Sequence, residues 1–81
     1  MFKVNASASN LVVVTPSDTV PITCNAIYVG VGGDIAIKTT ANATAVTLVG
    51  VPQGKDQAVN IVGGYVMSTG TTATNLVAES W

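Results

Sequence analysis

Residues 26–37, Ala-Ile-Tyr-Val-Gly-Val-Gly-Gly-Asp-Ile-Ala-Ile, constrain this chain more than any other stretch. β-Branched runs stand on both sides of Gly32-Gly33, and such residues favour the pleated backbone of a strand. A Gly-Gly pair supplies the positive φ angles of a two-residue turn. The pattern therefore predicts a β-hairpin with arms near residues 25–31 and 34–40. In the second arm Ile35 and Ile37 fall on one face and Asp34, Ala36 and Lys38 on the other, the period of a half-buried strand.

The rest of the chain is punctuated in the same way. Leu11-Val-Val-Val14 reads as a strand, stopped by Thr15-Pro-Ser-Asp18, where Pro16 sets φ and Ser17 and Asp18 bond their own backbone. Pro21 marks an edge or a bend. Residues 44–51 form a strand ended by Pro52-Gln-Gly54, with Lys55 and Asp56 left in the loop. Residues 57–67 read as a long strand in which Gly63-Gly64 signals a bulge or a close approach of another backbone. Residues 68–74 are turn-rich, and residues 75–81 close the chain as a short strand. No segment has apolar residues at helical spacing. The expectation is an all-β fold, a small antiparallel β-sandwich or barrel of six to seven short strands, with residues 1–10 as a flexible arm and 11–81 as one domain.

Composition narrows the function. The 81 residues are 48 % hydrophobic but only 5 % aromatic and 9 % charged, with a net charge of −1. Domains this small bury a modest fraction of their surface and usually draw stability from disulfides, metals or partner chains. Cys24 is the only cysteine and there is no His, so the chain forms no internal disulfide and offers a poor metal donor set; no cofactor is expected. Assembly with other chains is what remains. Lys3, Lys38 and Lys55 are too dispersed for a nucleic-acid surface. The apolar runs are short and broken, which argues against a membrane helix, and Met1-Phe-Lys-Val-Asn5 lacks the apolar core of a signal peptide.

The candidates for chemistry dissolve on inspection. Gly30-x-Gly-Gly33 echoes a phosphate loop, but a strand follows it where a helix is needed. Cys24 and the many hydroxyls lack a base to activate them, so Cys24 is expected to be a small buried residue. Asp18, Asp34, Asp56 and Glu79 could in principle pair as acid and base, but their places in turns and strand edges favour solvent-facing charge. No enzyme is expected. Surface candidates are Phe2, Tyr28, Tyr65, Thr71, Thr72 and Trp81. The Thr69–Thr74 segment is either a hydrogen-bonding surface for a subunit or sugar, or a loop joining two strands. Trp81 plugs the core or a subunit seam, core packing being favoured.

Residues 11–18, 26–37, Val49-Gly-Val-Pro-Gln-Gly54, 68–78 and Trp81, taken in order, resemble the small spike base and head decoration proteins of tailed bacteriophages and gene transfer agents. An Arg often stands beside the Ala-Ile-Tyr segment in that family; this chain has Asn25. The resemblance implies a compact β-domain on the outer capsid surface of a virion, made in the host cytoplasm. Its partners would be the major capsid protein, copies of itself as a trimer or pentamer, and a spike or fibre protein. The rival class is a stand-alone carbohydrate-binding module using Tyr28, Tyr65 and the Thr/Asn surface.

Overall fold

The computed structural model describes residues 9–81; Phe2 and the rest of residues 1–8, most of the expected arm, lie outside them. Six strands follow in order: β1 (Asn10–Val14), β2 (Ile22–Val31), β3 (Gly33–Lys38), β4 (Val46–Val51), β5 (Lys55–Val66) and β6 (Thr74–Ser80). They form one antiparallel sheet in the order β1-β6-β2-β5-β3-β4. The fold is all-β, and the strand count agrees with the turn punctuation of the sequence.

One arrangement differs from the sequence reading. Residues 26–37 are strands on both sides of Gly32, but they do not pair with each other. β2 lies between β5 and β6, and β3 lies between β5 and β4. The glycines explain why. Neither Gly32 nor Gly33 has a positive φ, so no tight turn forms there. They are small because the chain is squeezed as it crosses the fold. A Cβ on Gly32 would stand 2.7 Å from the Val51 carbonyl oxygen, and one on Gly33 would stand 2.8 Å from the Ala73 nitrogen and the Thr72 hydroxyl. Gly30 is pressed in the same way against Asn75, at 2.6 Å. Lys55 and Asp56, expected in a loop, instead begin β5, though both remain exposed.

β5 links the two halves of the sheet. Its first part pairs with β2 from Val29↔Lys55 to Ile22↔Gly64, and its last residues pair with β3 through Ile37↔Val66 and Lys38↔Tyr65. The handover occurs at Gly63-Gly64, the pair that the sequence marks as a bulge or close approach, and both features are present. Gly63 adopts φ +61° at a register shift opposite Ile22 and Thr23. Its N–H donates to the Thr23 hydroxyl at 3.0 Å. Gly64 sits flush against the carbonyl of Lys38 and the backbone of Thr39, leaving no room for a Cβ.

The inner faces of all six strands close on one core: Val14, Cys24, Ile27, Val29, Ile35, Ile37, Val51, Ile61, Val66, Leu76 and Ala78, joined by Ala73 from the β5–β6 connection. Ile27, Ile35, Ile61, Leu76 and Val29 are fully buried; each stabilises the fold by roughly 1.5–3 kcal/mol. Cys24 is buried, as expected, and burial pushes its thiol above the ordinary value.

Gly64→Ala is expected to destabilise the domain by roughly 1–3 kcal/mol, because the added methyl overpacks a rigid backbone contact. Chemical denaturation measures it, and a neutral effect would show that β5 has room at the handover.

Candidate functional site

The outer face of the β1-β6-β2-β5 half is built from the residues that alternate with the core. Two rows cross it in register. Leu11, Glu79, Ala26 and Ala58 form one, and Val13, Val77, Tyr28 and Asp56 form the next. Beyond the first row Asn25 stands at a β2 bulge. Its side-chain amide donates to Asn60 Oδ1 at 3.2 Å, and its Oδ1 accepts from the Trp81 N–H at 3.3 Å. A shallow depression lies among Asn25, Ala58, Asn60 and Trp81.

This placement corrects the reading of Trp81 as a core plug. It is 36 % exposed and lies on the outer face, because the β6 register puts Leu76 and Ala78 on the core side and carries the chain end past Asn25. Tyr28 is exposed on the same face. Tyr65 belongs to the other half, where the Lys38 ammonium lies 5.6 Å from its ring centroid. The candidate residues thus divide between two surfaces.

Thr71 and Thr72 lie on the β3 side, and their hydroxyls have internal work. Thr71 Oγ1 accepts from the Ala36 N–H at 3.0 Å and Thr72 Oγ1 from the Asp34 N–H at 2.9 Å. The Thr72 and Ala73 amides donate to the Asp34 carbonyl at 2.8 and 3.2 Å, and Met67 N–H donates to the Ala36 carbonyl at 2.8 Å. Residues 67–73 therefore satisfy the backbone of β3 where no strand does, which also explains why Ala36 is buried on an outward-facing position. Unpaired backbone groups at such a place would cost about 1–3 kcal/mol each.

Two carboxylate environments differ in sign. Asp18 accepts from the Thr69 hydroxyl at 2.6 Å and the Thr69 N–H at 3.1 Å, and these bonds hold its carboxyl below the ordinary 3.8. Glu79 is raised above 4.5, first by desolvation against the sheet and then by Asp56, which shares a hydrogen bond with it and repels its charge, so the fold brings together two carboxylates that the sequence reading left apart. Among the described residues no three His, Cys, Asp or Glu side chains gather to hold a metal. Ile37, Thr39, Thr44, Val46, Leu48 and Val59 line an apolar cleft of about 220 Å³ where the two halves splay.

Sequence reasoning did not find the most unusual surface. Leu11, Val12 and Val13 are 65, 63 and 77 % exposed on β1, an end strand of the sheet. The available signal was the unbroken apolar run, which lacks the alternation of a half-buried strand.

One solved chain shares this architecture. It comes from a structure described as "Capsid of native GTA particle computed with C5 symmetry", is 27 % identical, and superposes with a TM-score of 0.80 over 99 % of this chain and 92 % of that one. No protein-family model and no curated protein matches the sequence.

The two carboxylates predict opposite pH effects. Asp18 contributes stability that is complete above pH 3.8 and is lost as pH falls through its lower folded value. Glu79 is strained while ionised, so stability is regained as pH falls through its folded value above 4.5. The melting temperature is expected to rise on mild acidification and then fall. Glu79→Gln should raise it at neutral pH and abolish the rise, and Asp18→Asn should blunt the fall. Identical pH profiles for wild type and both variants would contradict these assignments.

Proposed function

We propose that this chain is a virion structural protein on the exterior of a tailed-phage-like capsid, acting as a decoration (cement) or head-spike base protein. The observation that carries the reading is the likeness to a capsid chain of a gene transfer agent particle, which spans nearly all of both chains at a TM-score of 0.80. The surface supports it. Charged residues are sparse, whereas a domain kept soluble on its own normally carries about a quarter or more. Exposed Leu and Val side chains are concentrated on the end strands.

On this reading the work is mechanical. The core holds a rigid sheet, and its outer faces and edges bind the major capsid protein, copies of the chain and, for a spike base, a fibre. Tyr28, Tyr65, Thr71, Thr72 and Trp81 are assigned to those contacts through their exposed atoms, together with Phe2 from the segment before Ser9.

An epitope-tagged copy is expected to co-sediment with DNA-filled particles through a density gradient and to be accessible to antibody on intact particles. Recovery only in the soluble fraction would refute capsid attachment; recovery on particles without antibody access would place it inside.

A further inference from the structure

Among the described residues both ends of the sheet are open, and both are apolar. Among the described residues β1 has a strand on one side only, β6, and β4 has only β3. An end strand presents a row of unpaired N–H and C=O groups, and natural monomers guard it with Lys, Pro, bulges or a covering segment. β1, Asn-Leu-Val-Val-Val, has no charge and no Pro, and its register with β6 runs unshifted from Asn10↔Ser80 to Val14↔Leu76. β4, Val-Thr-Leu-Val-Gly-Val, is also uncharged, with Val46 and Val49 at 59 and 78 % exposure, but it carries a bulge at Val49-Gly50 between Ile35↔Leu48 and Gly33↔Val51, so its regular edge is residues 46–48.

We propose that β1 of one copy pairs with β4 of the next, so that the sheet continues head to tail from copy to copy. An unpaired backbone edge asks for an extended strand, and the same molecule carries a second one, β4, of which residues 46–48 run in unbroken register. One β1–β4 contact covers Leu11, Val12 and Val13 together with Val46 and Val49. A symmetric β1–β1 contact would leave both copies of β4 open. On the outer face Glu79 lies one strand in from β1, and β3, one strand in from β4, carries Lys38 at one end and Asp34, bonded to the Gly50 N–H, at the other. Such a head-to-tail contact builds a closed ring when its rotation divides a full turn. The pairing rests on the oligomeric part of the proposed function, and its test uses the isolated protein, so that its failure leaves capsid attachment to be decided by the particles.

Native mass spectrometry of the full chain is compared with Val12→Lys, Val49→Lys and their equimolar mixture. Both positions are more than half exposed, and circular dichroism confirms retention of the sheet; Val13→Lys, at 77 % exposure, replaces Val12→Lys if that variant unfolds. The wild type is expected to form one closed oligomer and each variant alone to be monomeric. The mixture should give a heterodimer and nothing larger, because each variant keeps one intact edge. Assembly of Val49→Lys into wild-type dimers alongside monomeric Val12→Lys would mean β1–β1 pairing and overturn the proposal. A wild type that stays monomeric at all concentrations would overturn it as well.

Discussion

Strand β5 belongs to both halves of the sheet, and it does so because Gly64 carries no side chain. Its first part completes β2 and its last residues complete β3, so the backbone must turn from one partner to the other within three residues, Val62 to Gly64. Gly63 supplies the left-handed φ of that turn and Gly64 the contact distance. The consequence is a sheet folded over a single core, with β2 as the central strand. Gly30, Gly32 and Gly33 follow from it, since the β2–β3 crossing passes beside Val51, Ala73 and Asn75 with no clearance.

The same constraint shapes the surface. Sequence neighbours are seldom sheet neighbours: β6 separates β1 from β2, β3 separates β4 from β5, and β2 separates β5 from β6. Side-chain and loop hydrogen bonds close the gaps this leaves. Residues 67–73 satisfy β3, Asp34 Oδ1 accepts from the Gly50 N–H at 3.0 Å beside the β4 register shift, and Asn25 ties β2 to β5 and the end of β6. Among the described residues what stays open is the pair of end strands, and these are the parts best suited to another chain.

Much of this was legible in the residues. The strands, the Ser17 turn, the Pro52–Gly54 turn and the Gly63-Gly64 irregularity each rest on local chemistry: Ser17 Oγ accepts from the Thr19 and Val20 amides, and Gly54 takes φ +77°. Ile35 and Ile37 lie in the core as the alternation of Asp34 to Lys38 implies, but Ala36 between them is buried too, beside residues 67–73. Strand partnership was not legible, because pairing is decided by distant segments. Gly32-Gly33 fits a hairpin turn locally, while its actual role depends on Val51 and Ala73. Trp81 was misplaced for a related reason: its side depends on the register of β6 against β2, not on its size. The Thr-rich segment could be read as a surface or a loop, and only the neighbouring β3 amides and Asp18 reveal what its hydroxyls bind.

We propose that this sheet works as a building piece on the outside of a particle. A cryo-electron microscopy difference map between particles made with and without the chain tests it most directly. The account predicts extra density on the outer shell into which the folded six-stranded sheet fits. Maps that are identical outside, or extra density confined to the interior, would contradict it.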